Sequence, residues 1–447
     1  MLSAGVLTED QASWFQCLLF AGAVVGGLAA SSLIHLLGRK GSILMAGIPF
    51  LSGWLCLIVA KTHVPLYSGR FLVGMGYGMV EVVCPVYVAE TVSDERLTTA
   101  TMWLILGDTS GTLIQYGLGM CLTTGTLCAI STLPVVGMMI GMIFMPESPR
   151  WLIHTGQKLR ALKSIQWLRM VSKNAAKNEF AEINANASCQ SVCYSETFQE
   201  MPKVLRPLAA CAGLFLFQQF SGITPLMFNA EWILKRASSG TVLGHPSFNC
   251  GQLSAVVLAA TRVVMTVCGL PLVDRLGKRR LFVINGALMT ASLSTFSFCL
   301  YFKHEEHDAL AWVPLVSLMA FVSAYSVAWS SVPRSVISEI SSQKVKGLAS
   351  GIGATGAWLS CFVVTQQFLT WYRHMDLYGL FLLYGFFCLA GSLTPAALPG
   401  CFCYGKRNRE TPRSIQVTDS GMNWQQLTIT NTQIVLLISM GNQEQLG

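Results

Sequence analysis

Long apolar stretches with almost no charge recur along the whole chain and alternate with short basic clusters. A helix needs about 20 mostly apolar residues to cross the hydrocarbon core of a bilayer, and these stretches have that length. They lie at about residues 12–37, 43–60, 67–90, 98–122, 126–145, 205–235, 252–274, 280–302, 311–338, 348–371 and 377–399. We therefore expect an all-α membrane protein with about eleven spans.

The composition excludes several other classes of protein. Only 12% of the 447 residues are charged, whereas a soluble protein carries about a quarter. The net charge of +8 lies in short loops beside the apolar stretches, so it indicates cytosolic loops and no nucleic-acid partner. The 15 cysteines lie mostly in apolar stretches without metal-ligand spacing. There is no nucleotide-binding loop and no nucleophile–base spacing, so we expect no metal, no cofactor and no enzyme activity.

Changes in composition divide the chain into four regions. Residues 1–150 and 205–400 hold the apolar stretches and are expected to form two transmembrane halves. Residues 151–204 are rich in Lys, Glu, Asn and Ser and predict a cytosolic helical linker, whereas residues 401–447 predict a disordered cytosolic tail. The basic loops follow alternate spans, which places the chain start outside and suggests that one helix is missing ahead of residue 1.

Two loop patterns occur once in each half. The sequence Gly-Arg-Lys at 38–40 recurs as Gly-Lys-Arg-Arg at 277–280, and an acidic–basic pair after one span at 90–96 recurs at 339–346. Repeated halves are typical of alternating-access transporters, in which the substrate site lies between the halves at mid-membrane depth. In the first half, the glycines at 74, 76 and 78 also predict closely packed helices.

Several longer motifs follow one another in a fixed order. They are GRFLVGMGYGMVEVVCPVYVAETVSDERL at 69–97, PESPRWL at 146–152, QQFSGI at 218–223 and VDRLGKRR at 273–280. Together they resemble the sugar-porter branch of the major facilitator superfamily. Within that branch, AWLSCFVVTQQF at 357–368 most resembles the intracellular facilitative glucose transporters and the insect trehalose transporters. The resemblance implies two six-helix halves, with the first helix absent here. It also implies transport of a hexose or a disaccharide such as trehalose, facilitated or proton-linked.

Charged residues at the cytosolic ends of the spans are expected to form an electrostatic latch. Ion pairs there would hold helix ends together in one state and separate in the other, which keeps the two states close in free energy. The alternative is that these are ordinary positive-inside loop charges. The latch candidates are Arg39, Glu90, Arg96, Glu147, Arg150, Asp274, Arg275, Arg279, Glu339 and Lys346.

The strongest substrate candidates are Gln218 and Gln219, because an amide both donates to and accepts from a polyol hydroxyl. The resemblance implies that both line the sugar site, although a helix–helix hydrogen bond is the alternative for each. Further candidates occupy the family's site positions. They are Thr224, Arg262 and Arg334, which depart from the usual family residues, and Trp358, which matches.

Charges within apolar spans are costly and persist when they face water or a partner. We expect that Arg262 or Arg334 either pairs with Glu81 across the cavity or meets an anionic substrate; Arg334 could instead extend to the membrane interface. Glu81 is a candidate proton site, and Asp108 is a second acidic residue within a span of the first half.

Three functions remain open at this point. The leading one is a sugar porter with a small-molecule substrate, embedded in the lipid bilayer of the plasma membrane or an endolysosomal membrane, with its C-terminus in the cytosol. The second is a porter of an altered, anionic solute. The third is a transport-incompetent relative, either a sensor or a truncated product. The sequence carries no signal for an oligomeric state.

Overall fold

The computed structural model describes residues 8–170, 172–191, 212–237, 250–302, 312–333 and 346–397. Within these ranges the chain is helical apart from short turns, and no strand occurs in them. All the described residues belong to one compact unit. The predicted tail at 401–447 lies outside the described residues, and the four-region division stays a prediction.

The first half consists of five long helices. Short turns separate them, and their limits follow the expected spans to within a few residues. The helices are α1 (Glu9–Leu36), α2 (Gly38–Val59), α3 (His63–Thr91), α4 (Asp94–Cys121) and α5 (Thr124–Phe144). The Thr8 hydroxyl caps α1 by accepting from the Gln11 N–H, and the Gln11 side-chain oxygen accepts from the Thr8 N–H. This reciprocal pair fixes where the first span begins.

Three shorter helices follow in the predicted linker. They are α6 (Pro149–His154), α7 (Lys158–Arg169) and α8 (Lys173–Ser191). Pro149 opens α6, where its missing N–H costs nothing, and the Ser148 hydroxyl caps the helix by accepting from the Trp151 N–H. A small apolar core holds the three helices together. It consists of Leu152, Ile153 and Ala161, with Trp151, Phe180 and Ile183 around them.

The second half is less regular than the first. A helix at 212–220, here α9, stops at Gly222, whose φ of +79° places it in the left-handed region. The helices that follow are α10 (Ile223–Phe228), α11 (Ala230–Ala237), α12 (Cys250–Leu276), α13 (Lys278–Tyr301), α14 (Val313–Ala324) and α15 (Lys346–Ala397). A single π-helical turn, Tyr325–Trp329, continues α14. Asp376, with φ of 56° and ψ of 179°, bends α15 into two limbs.

Seven of the described helices are long and apolar enough to cross a membrane. One of them is the 43-residue stretch Gly353–Pro395, whose bend supplies two of the expected spans. The remaining expected spans correspond to α4, which is long but less apolar, to the broken segment at 212–237, and to the shorter apolar helix Val313–Trp329. The expectation of a polytopic helical membrane protein is confirmed.

Glycines bring the backbones of α1 and α3 into direct contact. A methyl group on Gly74 or Gly78 would strike the carbonyl of Leu19 or Ala23 on α1, and one on Gly26 would strike the carbonyl of Met75 on α3. Gly76 faces the other way, against the ring of Phe50 on α2. The predicted close packing is therefore confirmed, and it joins three helices of the first half.

A buried tryptophan organises the second half. Trp329 has no exposed surface, and its ring stacks on Phe282 with 4.6 Å between the centroids. Its Nε1 donates to the Phe282 carbonyl at 3.1 Å. Gly286 and Gly391 leave the space that the indole fills, since a methyl group on either would contact the ring. The π-helical turn is thereby fixed against α13 and α15.

Gly74→Ala is expected to lower the free energy of unfolding by about 1–3 kcal/mol, because the added methyl group overpacks the α1–α3 contact. Gly111→Ala on α4 is the matched control, since nothing lies within 4 Å of that position. The control should be neutral or slightly stabilising. Thermal denaturation of both variants in detergent measures the difference, and equal effects would contradict the packing.

Candidate functional site

Among the described residues, two helix pairs make the most extensive contacts between the halves. Helix α1 packs against α15, and α4 packs against α12. We call the end of the bundle where α1 begins the outer end, since the basic loops predict that it faces outside. The opposite end, which holds Arg39 and Glu90, is the inner end.

Polar side chains join the halves at the outer end. The Gln16 and Asn229 amides form a reciprocal pair: Gln16 Nε2 donates to Asn229 Oδ1 at 2.9 Å, and Asn229 Nδ2 donates to Gln16 Oε1 at 3.2 Å. Next to it, the Cys17 thiol donates to Gln366 Oε1 at 3.0 Å. Arg373 pairs with Asp10 at 2.9 Å, and the two side chains are 50% and 67% exposed. These contacts join the two halves at the outer end.

Aromatic rings continue the contacts between the halves towards the middle of the bundle. Phe20 on α1 lies against Phe228 and stacks on Trp358, with centroid separations of 5.6 and 6.1 Å. Tyr77 on α3 meets Trp358 edge-on at 5.2 Å. The Arg70 guanidinium lies 5.7 Å from the centre of the Phe228 ring, which is a cation–π contact between the halves.

An ion pair crosses between the halves near the middle of α4 and α12. Arg262 Nη2 lies 3.2 Å from Asp108 Oδ2, with 21% of the Arg262 side chain and 45% of the Asp108 side chain exposed. Arg262 therefore pairs with Asp108, and the expectation that Arg262 pairs with Glu81 is wrong. The alternative pair of Arg334 with Glu81 stays a prediction, since Arg334 lies outside the described residues. Asp108 is the acidic group that faces α12, whereas Glu81 lies half-buried on α3.

The two glutamines of the predicted sugar site face different surroundings. Gln218 is only 3% exposed, and its Nε2 donates to the Tyr325 hydroxyl at 3.2 Å and to the Trp329 carbonyl at 2.8 Å. Its Oε1 is buried without a hydrogen-bond partner in the described part of the chain. The amide nitrogen thus makes the helix–helix bond that was the alternative reading, while the oxygen remains available.

Gln219 lies beside Thr224, the next predicted site residue. The Thr224 hydroxyl donates to Gln219 Oε1 at 3.2 Å and lies 3.8 Å from the Cys361 sulfur on α15. Trp358 is one turn earlier on that helix, and its Nε1 is buried without a hydrogen-bond partner among the described residues. Gln218, Gln219 and Thr224 thus gather around the break between α9 and α10, next to the helix that carries Trp358.

At the inner end, the latch residues of the first half form a compact network. Arg39 Nη2 pairs with Glu90 Oε1 at 2.7 Å, and both side chains are nearly buried. The Ser148 hydroxyl donates to the other Glu90 oxygen. Glu147 Oε1 accepts the backbone N–H groups of Arg39, Lys40 and Ser148 at 2.9–3.0 Å. These bonds tie the α2 start to α3 and α6 within one half.

The other latch candidates do not join this network. Arg96, Arg150, Arg275 and Arg279 are exposed, and none forms an ion pair with another described residue. The candidates Arg334 and Glu339 and the side chains of Asp274 and Lys346 lie outside the described residues. Their roles, and that of Glu81, stay predictions. The described contacts between the halves therefore lie at the outer end and at mid-depth.

Three contacts between the halves were not predicted from the sequence: the Gln16–Asn229 pair, the Asp108–Arg262 pair and the Arg70–Phe228 cation–π contact. Opposite charges inside two apolar spans were a usable signal for the ion pair. Nothing in the spacing of Gln16 and Asn229 indicated that they meet. In the described ranges no group of three His, Cys, Asp or Glu side chains could hold a metal ion.

Mutation of Arg39 and Glu90 tests the inner network. We expect a coupling of about 1–3 kcal/mol in a double-mutant cycle of Arg39→Gln and Glu90→Gln, because each single change leaves a nearly buried charge without its partner. Unfolding titrated with a denaturing detergent measures all four proteins. Arg150→Gln, an exposed cation of the same region, is the control, and additive effects of the cycle would contradict the pair.

Residues 4–395 match the family described as "Sugar (and other) transporter". The chain is 29% identical over 391 residues to the facilitated trehalose transporter Tret1 of Apis mellifera ligustica, covering 85% of this chain and 74% of that protein. It is also 29% identical over 416 residues to the solute carrier family 2 facilitated glucose transporter member 8 of Bos taurus, covering 88% of this chain and 83% of that protein.

Solved structures agree with the fold. The major facilitator proton:xylose symporter XylE superimposes with a TM-score of 0.70 at 18% identity, covering 88% of this chain and 89% of that chain. A partially occluded inward-open conformation of XylE from E. coli gives the same TM-score. The expected major facilitator fold is confirmed, and the chain belongs to the Sugar (and other) transporter family.

Proposed function

We propose that this protein carries a neutral sugar across a membrane by alternating access, as a facilitated porter of glucose or trehalose. The observation that carries the proposal is the distribution of contacts between the halves. They run from the Arg373–Asp10 pair at the outer end to the Asp108–Arg262 pair at mid-depth. A solute that enters from the inner end would therefore meet a closed outer end, which is one of the two states that alternating access needs.

Two unsatisfied polar atoms support a polyol substrate. Gln218 Oε1 and Trp358 Nε1 are buried without partners among the described residues, and a buried polar group without a hydrogen bond is costly. A sugar hydroxyl can donate to the first atom and accept from the second. Gln219 and Thr224 add an amide and a hydroxyl that already bind each other and can exchange that bond for the sugar. Such an exchange gains little net free energy, so binding would be weak.

The Asp108–Arg262 pair favours a neutral solute over an anionic one. An arginine at membrane depth costs about 2.5–3.5 kcal/mol unless it has a partner or water. Here Asp108 supplies the opposite charge at 3.2 Å, so Arg262 offers a solute no net positive charge. The relatives whose names describe facilitated trehalose and glucose transport support the same choice. Porting of an anionic solute is therefore the weaker alternative.

The remaining features of the proposal follow from the charge pattern and from the relatives. The protein is multi-pass, lies in the plasma membrane or an endolysosomal membrane, and has its inner end and C-terminus in the cytosol. Proton linkage through Glu81 stays a prediction. A flat uptake profile from mildly acidic to neutral external pH would exclude it.

Counterflow in proteoliposomes tests the proposed function. Vesicles preloaded with unlabelled glucose or trehalose should accumulate the labelled sugar transiently, because an alternating carrier exchanges one sugar for another. Gln219→Leu is expected to lower this flux about fivefold, the equivalent of one lost hydrogen bond. Gln115→Leu, an exposed glutamine that bonds to Ser131 instead, is the matched control. Absence of flux for both sugars in correctly inserted protein would indicate a transport-incompetent relative.

Asp108→Asn tests the neutral-solute argument. The change leaves Arg262 partly exposed and uncompensated, which costs about 1–2 kcal/mol and should lower sugar flux about tenfold. Gluconate should then compete with the sugar, although it does not compete in the unmodified protein. The double variant Asp108→Asn with Arg262→Gln restores neutrality and should lose the gluconate effect. Equal inhibition of all three proteins by gluconate would contradict the argument.

A further inference from the structure

A cleft of about 620 Å³ lies at the inner end of the first half. Its walls come from three parts of the chain: the start of α2, the end of α5, and the cytosolic helices α6 and α7. No residue of the predicted sugar site lines it. The lining residues that matter below are Lys40, Phe144, Trp151, Arg160, Lys163 and Trp167.

One wall of the cleft is positively charged. Lys40, Arg160 and Lys163 line it together with a single carboxylate, that of Glu147. One oxygen of this carboxylate already accepts three backbone N–H groups, which offsets its charge locally. The cleft therefore presents an excess of cationic donors.

The cations retain free donors. Lys40 Nζ donates to the carbonyls of Ile143 and Met145 at 2.8 Å each, so one of its three N–H groups remains. Arg160 uses Nη1 for the Gln157 side chain at 2.9 Å and keeps its second terminal nitrogen. Lys163 is exposed and makes no hydrogen bond or ion pair with another described residue. A phosphate oxygen needs donors of this kind.

The opposite wall is apolar and belongs to a membrane span. Ile143 and Phe144 end α5, and their side chains are 60% and 76% exposed. Trp151 and Trp167 stand on the cytosolic side of the same cleft. Tryptophan is enriched where the hydrocarbon core meets the headgroups, so the cleft lies at headgroup depth with one wall towards the acyl chains.

From this arrangement we propose that the cleft binds the headgroup of an anionic phospholipid of the cytosolic leaflet. The phosphate meets Lys40, Arg160 and Lys163, and the upper part of the acyl chains lies along Ile143 and Phe144. Basic pockets on the cytosolic side of membrane proteins bind anionic headgroups on this principle. A free phosphate would use the cationic wall alone, whereas a phospholipid also contacts the apolar wall next to it. The bound lipid would bridge the α5 end to α7.

Binding of phosphatidylserine to the full-length protein tests the proposal. Native mass spectrometry of the purified protein counts bound lipid, and a photoactivatable phosphatidylserine maps the contact to a peptide. We expect cross-links within 37–40 or 143–167. We also expect about thirty-fold weaker binding in Arg160→Gln with Lys163→Gln, because two basic side chains near an anionic headgroup are lost. Lys173→Gln with Lys177→Gln, two exposed cations of α8 outside the cleft, is the matched control and should bind normally.

Three results would overturn the proposal. The first is an equal loss of binding in both double variants, which would indicate general surface attraction. The second is competition by inorganic phosphate at the lipid concentration, which would indicate a free-anion site. The third is cross-linking confined to residues outside 37–40 and 143–167. The thermal midpoint of each variant in phosphatidylcholine, which should match that of the unmodified protein, shows that the exposed substitutions leave the fold intact.

Discussion

A bilayer offers no partner to a buried charge or amide, and this constraint decides where the two halves touch. Asp108 and Arg262 sit within spans and neutralise each other across the gap, and Gln16 and Asn229 satisfy each other in the same way. These bonds can be exchanged for water or for a sugar hydroxyl at little net cost. The halves can therefore separate without leaving these polar groups unsatisfied.

Each half, by contrast, is held by contacts that do not exchange. In the first half the backbones of α1 and α3 interlock at glycines, and the Arg39–Glu90 pair fixes the inner end. In the second half Trp329 fills a space prepared by Gly286 and Gly391. Closely packed interiors resist gradual deformation. We therefore expect the two halves to rotate as rigid bodies. The surfaces that separate are those joined by exchangeable polar bonds.

The spans, the linker helix and the family could be predicted from the sequence, because apolar length and motif order are local properties. The partner of Arg262 could not be predicted, since Asp108 and Glu81 are both carboxylates within apolar spans of the first half. Only the packing of α4 on α12 shows that Asp108 is the one that meets Arg262. The direction of the Gln218 amide depends on the π-helical turn that ends at Trp329, and no hydrophobic period reveals such a turn. Side-chain pairing across the halves thus required the tertiary arrangement.

A reversible cross-link between the halves tests alternating access most directly. The ends of the Gln16 and Asn229 side chains meet, so Gln16→Cys with Asn229→Cys in a Cys17→Ser background places two thiols within reach of a short bifunctional thiol reagent whose spacer contains a reducible disulfide. Sugar flux is measured in the cross-linked protein and again after reduction of the spacer. Rigid-body exchange predicts that the cross-link stops flux by holding the outer ends of the halves together and that reduction restores it. Undiminished flux through fully cross-linked protein would contradict the mechanism.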